Sequence, residues 1–331
     1  MLKFEEEKFT SNVNGMLQLR GRVEEIVDAA CKTGVKNICW LGIGGTWASC
    51  LQAVVHMKER SALEVFAMNA AEYIATGDKR VGPGTFVTIS SVTGNTPEMT
   101  DAVVKARKAG AHVLGFIDKE DAALVSEVDD CISYPRNEQM KFFMVADRFM
   151  MNAGEFDEYA AYYRQLDEHL AEALVAVEKQ ADDFGQQFAK QHLSDGLHYF
   201  VGAGTLYGAT YSYAMCYWEE MHWMRTKSIH SAEFFHGTLE IVEKDTPVTV
   251  FVGEDSQREL GLRVARFLPK ACQNYTVIDT RDYPLPGIDD QYRGNLSHLI
   301  MHAVTNRIDA HLEALSGHDM SIRRYYRKLD Y

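Results

Sequence analysis

The sequence predicts an α/β protein of two similar halves in tandem, each built on a parallel sheet with helical crossovers. Three observations carry this. Apolar runs such as KNICWLGIGG (36–45) end in glycine and lack polar alternation, as strands buried on both faces do. These runs alternate with amphipathic stretches, which argues for right-handed βαβ crossovers. The order then restarts after residue 195: WLGIGGTWAS (40–49) and FVGAGTLYGA (200–209) are loosely alike.

Taken in order, residues 8–33 read as a helix, with Val13, Met16, Leu17, Val23, Ile26, Val27 and Ala30 as its apolar positions. The run to Gly45 is a strand, TWASCLQAVVHMKER (46–60) a helix, and ALEVFAM (62–68) a strand. TFVTISS (85–91) is rich in β-formers, and NTPEMTDAVVKARKAG (95–110) is a helix that stops at Gly110. AHVLGFI (111–117) and CISYP (131–135) are further strands. Residues 138–192 are almost wholly helical and suit a bridge. In the second half, strands are expected at 197–204, 246–255 and 274–280, with helices at 205–222, 258–270 and 297–315. A basic tail, SGHDMSIRRYYRKLDY (316–331), follows. This gives a first domain at 1–185 and a second at 186–331, with no low-complexity linker to hold them apart.

Composition narrows the partners. The 331 residues carry a formal net charge of −13, which disfavours a nucleic-acid backbone. No secretory signal or 18-residue apolar run is evident, so neither export nor a membrane span is expected. The six cysteines include no CxxC and sit mostly in apolar runs, as reduced buried thiols of a cytoplasmic protein do.

The loop SSVTGNTPEMTD (90–101) is the richest in the first half. Ser90, Ser91, Thr93, Asn95 and Thr96 surround Gly94, after a strand and before a helix with Pro97 in its first turn. Free N–H groups and a partial positive charge at that helix start suit a phosphate, although Thr96 also reads as an ordinary N-cap. GIGGT (42–46) is a second strand-to-helix loop with a hydroxyl, Thr46. Neither loop is GxGxxG or GxxxxGK[ST], which disfavours dinucleotides and nucleoside triphosphates. The second half has VFVGEDSQRE where the first has TISSVTGNT, and Glu254 and Asp255 there would repel a phosphate, so one anion site per chain is expected.

Two ExxH pairs stand out: Glu219/His222 and Glu233/His236. Their spacing matches di-iron helical bundles, but that architecture needs four long helices and further glutamates, and Gly237 ends any helix at once. No metal is expected. Glu219 and His222 read as structural residues beside a helix core. Glu220 and His236 read either as structural residues or as an acid–base pair working near neutral pH.

These segments together resemble the sugar isomerase (SIS) domain family. GIGGT and SSVTGNTPE are similar to its phosphosugar-binding loops, and EEMHW…HSAEFFHGTLEI to its catalytic segment. Within the family, HSAEFFHG, GNTPE and the RRY…DY tail most resemble the fructosamine-6-phosphate deglycases, of the 6-phosphofructose-aspartate type. The resemblance implies two SIS-type three-layer αβα sandwiches with parallel, flavodoxin-like sheets, the helical bridge and the tail. It implies phosphosugar binding by Gly44, Gly45, Thr46, Ser91, Thr93, Gly94, Asn95 and Thr96, and catalysis by Glu220 and His236. The base is expected to be His236 and the acid Glu220, with Glu233, Arg323 and Arg324 in support. It further implies a homodimer in which the histidine serves the neighbouring subunit, and no cofactor. Tyr326 stands where a glucosamine-synthesising relative has a lysine, which argues against that activity. The alternatives are a ketose–aldose phosphosugar isomerase, an aminosugar-phosphate deaminase and a non-catalytic sugar-phosphate sensor.

Overall fold

A computed structural model describes residues 1–330; Tyr331, which closes the tail motif, lies outside the described residues. One compact unit is Thr10–Glu168, and the other joins Met1–Phe9 to the residues from His169 onward. The cut expected at 185/186 falls inside a single helix, α7 (Tyr159–His192). Tyr162, Tyr163 and Leu166 of α7 are buried before the division, and Leu174, Val177 and Phe188 after it, so one helix contributes core to both units.

The first unit places the helices α2 (Arg20–Thr33), α3 (Gly45–Lys58), α4 (Ala70–Thr76), α5 (Pro97–Lys108) and α6 (Glu138–Asn152) around five strands. The strands are β1 (Asn37–Gly42), β2 (Glu64–Asn69), β3 (Thr85–Ser91), β4 (His112–Ile117) and β5 (Asp130–Ile132), all parallel, in the order β2-β1-β3-β4-β5. Every residue of β1 and β3 is buried, which accounts for the nearly unbroken apolar run of β1, whereas β3 buries its threonines and serines as well. Cys39, Leu41, Val87, Ile89 and Val113 meet Val103 and Ala106 of α5 on one face. On the other, Trp40 and Phe116 pack on Phe142 of α6, and Phe86 packs on Phe149. The expected helix 8–33 is two: α1 (Glu6–Gln18) and α2, parted at Leu19.

The second unit repeats the order with four parallel strands: β6 (His198–Gly202), β7 (Thr226–His230), β8 (Val248–Val252) and β9 (Tyr275–Asp279), arranged β7-β6-β8-β9. Its helices are α8 (Thr205–Ser212), α9 (Arg258–Phe267) and α10 (Asp290–Ser316). Two departures from the sequence reading matter. β7 was not expected, because TKSIH has one buried residue, Ile229. The helix expected over 205–222 is α-helical only to Ser212 and continues as a π-helix, Tyr213–Met221.

A buried polar cluster braces this unit. Asp195 Oδ2 lies 2.8 Å from Nδ1 of both His192 and His198, and His198 Nε2 lies 2.8 Å from Thr249 Oγ1. These side-chain types also bind metals, but the spacing here is that of hydrogen bonds. Burial pushes His198 down to about 4, against the raising effect of Asp195. Burial alone would raise Asp195, but its bonds from His192 and His198 outweigh that and leave it lowered. An unfolded histidine titrates near 6.5, so below that pH the unfolded chain takes a proton that the folded one refuses. Stability is therefore expected to fall by about 3 kcal/mol between pH of about 6.5 and about 4. Urea unfolding across that window checks it: His198→Gln should flatten the dependence, and an unchanged slope would contradict it.

Candidate active site

In the first unit, the two predicted loops leave neighbouring strands at their carboxyl ends. The chain passes from β1 to β2 on one side and, by way of β3, to β4 and β5 on the other. The crevice at that change of direction is where open α/β sheets bind ligands. Gly44 caps α3 at φ 62°, ψ −128°, a conformation that favours glycine. Gly94 has φ 62°, and a Cβ there would sit 2.3 Å from Ala122 Cβ and 3.0 Å from Ile117 Cγ2, so the turn admits only glycine. Thr96 is the N-cap of α5, but its side chain makes no capping bond, and Pro97 takes the first helical position. The first-turn N–H groups of α3 and α5 are thus not capped by the residues before them.

The hydroxyls are partly committed. Ser91 Oγ accepts from Gly94 N at 3.0 Å, which leaves its O–H free to donate elsewhere. Thr46 Oγ1 lies 3.2 Å from Glu138 Oε2 and 3.4 Å from Ser90 O. Sequence reasoning missed Glu138: it opens α6, 92 residues from Thr46, and nothing local marks it. Thr93 and Thr96 are half-buried, and Asn95 is exposed.

The second unit contains the same cradle with its own occupant. Gly204 has φ 63°, ψ −141°, close to Gly44. Asp255 Oδ2 accepts from Thr205 N at 2.8 Å and Thr205 Oγ1 at 3.0 Å, and Gln257 Oε1 accepts from Gly204 N at 3.2 Å. A Cβ on Gly204 would meet the Asp255 carboxylate at 2.1 Å, whereas one on Gly44 would meet nothing within 4 Å. Asp255 thus fills in the second unit the cradle that stays open at Gly44.

The expected catalytic residues both lie in the second unit. Glu220 is on the π-helix, half-exposed, and its Oε1 accepts from Arg323 Nε at 2.7 Å. The tail docks beside it. His318 Nε2 lies 2.9 Å from Met221 O, its ring lies against Trp223 at an interplanar angle of 44°, and Arg324 lies 4.1 Å over that indole. Trp223 has φ 59°, an uncommon conformation for a bulky residue and one often found at functional sites. Arg323 and Arg324 thus each have a partner in their own chain.

His236 lies in a short 3-10 turn, Phe234–His236, that ends at Gly237 (φ 149°). Its ring is exposed and makes no hydrogen bond among the described residues. Glu233 meets it only through the backbone, with His236 N donating to Glu233 O at 3.0 Å. The carboxylate of Glu233, expected to support His236, is exposed in the structure. Glu219 and His222 behave as structural residues: Thr226 Oγ1 donates to Glu219 Oε1 at 2.8 Å, and His222 Nε2 lies 3.2 Å from Asp309 Oδ1.

No family model matches the chain. Fructosamine deglycase FrlB of Bacillus subtilis is 28% identical over 309 residues, covering 90% of this chain and 93% of that one. Fructoselysine 6-phosphate deglycase of Escherichia coli K12 is 24% identical over 310 residues, covering 92% and 89%. A Bacillus subtilis crystal structure described as a phosphosugar isomerase superposes with a TM-score of 0.89 at 26% identity, covering 98% of this chain and 100% of that one. The fold is that of the SIS phosphosugar isomerases, and the curated relatives named here are deglycases. Among the described residues no helix is long and apolar enough to cross a membrane.

Proposed function

We propose that this protein is a deglycase that cleaves a 6-phosphorylated Amadori product to glucose 6-phosphate and a free amino acid. The observation that carries the reading is Glu220, half-exposed on a π-helix and ion-paired with Arg323 of the tail, in a chain similar to named deglycases. Its substrate has a fructose 6-phosphate skeleton with the amino acid's nitrogen on C1.

The phosphate is held by the α3 and α5 helix starts, through the N–H groups of Gly44, Gly45 and Asn95 and the hydroxyls of Thr46, Ser91, Thr93 and Thr96, while Gly94, whose N–H donates to Ser91 Oγ, shapes the turn. Glu220 removes a C1 proton; the electron pair forms C1=C2, and the C2 oxygen gains a proton to give an enaminol. His236 then protonates C2, and the nitrogen lone pair closes C1=N. Water adds to C1, the C–N bond breaks, and the amine leaves with a proton. The roles are the reverse of the sequence expectation: Glu220, held by Arg323 Nε at 2.7 Å, is taken as the base, and His236 as the acid. No cofactor is called for, since the C2 carbonyl already makes the C1 proton labile.

His236, exposed and without a side-chain hydrogen bond among the described residues, is taken to serve the site of a second copy, which makes the working form a homodimer. Six free cysteines suit a reducing compartment such as the cytoplasm. Arg324 on Trp223 supports a contact with the amino acid's carboxylate. Arg324→Ala should then raise KM for a 6-phosphofructosyl amino acid more than for fructose 6-phosphate; an equal rise would remove that contact. An isomerase reading also has support, from the name of the structural relative. Turnover in D2O distinguishes proton transfer from direct C–N displacement: glucose 6-phosphate should carry deuterium at C2. Unlabelled product would contradict two-group proton transfer.

A further inference from the structure

We infer that Asp309 is a positioning residue that holds Tyr213–Met221 in its π-helical register and so turns Glu220 out of the core, an inference that rests on Glu220 being catalytic. The carboxylate lies on α10, which Arg307 ties to α7 through Glu178 Oε2 at 3.3 Å and Asp182 Oδ1 at 3.0 Å. Asp309 Oδ1 accepts from Tyr213 Oη at 3.1 Å and is 3.2 Å from His222 Nε2. Tyr213 is the first residue of the π-helix, and His222 directly follows its last. All three side chains are buried.

The register follows from helical arithmetic. Tyr213 and His222 are nine residues apart. At about 3.6 residues per turn, nine residues make about two and a half turns, and the two side chains would point to opposite faces. At the about 4.4 residues per turn of i→i+5 bonding, nine residues make about two turns, and both point the same way. The His222 N to Tyr217 O bond at 2.9 Å has that i→i+5 spacing. A single oxygen can therefore bind both side chains only in the π register. Glu220 is seven residues after Tyr213. In an α-helix seven residues are about two turns, which would put Glu220 on the buried face of Tyr213. In the π register seven residues are about one and a half turns, which puts it on the far side, where Arg323 reaches it.

Burial pushes the Asp309 carboxyl upward, and its bonds with His222 and Tyr213 counter only part of that. An amide oxygen can replace Oδ1 as acceptor, so Asp309→Asn is the conservative variant and Asp309→Leu the disruptive one. Asp309→Leu should lower kcat on a 6-phosphofructosyl amino acid by about 10²-fold, the scale of an approximately 1 Å misplacement, with KM little changed. Asp309→Asn should retain most of the turnover, and Tyr213→Phe should fall between them. Amides of 217–222 should exchange hydrogen about tenfold faster in Asp309→Leu, with β6 and β8 unaltered. A folded Asp309→Leu that keeps wild-type kcat while Glu220→Gln is inactive overturns the inference. Should Asp309→Leu not fold, Tyr213→Phe with wild-type kcat and exchange overturns it. If Glu220→Gln is itself fully active, the functional reading has failed. The exchange rates of 217–222 then decide the register claim alone, and unchanged rates sink it.

Discussion

Glu220→Gln should lose about 10²–10⁴-fold in kcat, the usual contribution of one positioned acid or base, with the KM for substrate nearly unaltered. The substitution keeps the size of the side chain and an oxygen to accept from Arg323 Nε, so the tail should stay docked. What it removes is the capacity to take a proton from C1. Because that proton moves in the transition state, the loss should fall on kcat rather than on binding. Steady-state kinetics with one 6-phosphofructosyl amino acid is enough to check it. A variant with near wild-type turnover would mean that Glu220 only anchors Arg323.

The second large effect is expected at the phosphate loop, and the protein supplies its own control. In the second unit the position equivalent to Gly94 is Asp255, whose carboxylate fills the cradle at Gly204 and Thr205. A carboxylate placed in the first cradle should likewise exclude phosphate. Two unit charges about 4 Å apart at a protein surface repel by about 4 kcal/mol, and about 1.4 kcal/mol is tenfold in affinity. Thr93→Glu should therefore raise KM by about 10³-fold. Thr93→Val, which removes one neutral hydrogen bond worth about 1 kcal/mol, should raise it about fivefold. Equal effects of the two would show that charge at this loop is irrelevant and that the phosphate sits elsewhere.

The sheets were legible where strands are buried on both faces. β1, β3 and β8 have every residue buried; β1 and β8 are almost unbroken apolar runs, and β3, TFVTISS, is legible instead by its β-branched and aromatic residues. β7 lies at a sheet edge with one buried side chain, and TKSIH has no pattern to read. The π-helix was illegible for a different reason. TLYGATYSYAMCYWEEM is apolar on most sides, so it fixes no helical period, and the partner that sets the register, Asp309, lies 87 residues beyond His222.

The loops were legible by residue type: the glycines at 44 and 94 stand at positive φ, as tight strand-to-helix turns require. Their long-range partners were not, and Glu138 beside Thr46 is the clearest case. Arg323 and Arg324 were expected only as supporting residues. The carboxylate that Arg323 meets in the structure is Glu220 itself.

The central claim is that the protein breaks a C–N bond at C1 of a 6-phosphorylated ketose. The most direct measurement is a coupled assay for glucose 6-phosphate release across 6-phosphofructosyl-aspartate, -asparagine and -lysine, 6-phosphoglucosyl-lysine and plain fructose 6-phosphate. The account predicts rapid release from at least one 6-phosphofructosyl amino acid, with an equal amount of free amino acid, and little conversion of fructose 6-phosphate. Rapid conversion of fructose 6-phosphate with no amino acid released from any conjugate would contradict it and leave an isomerase.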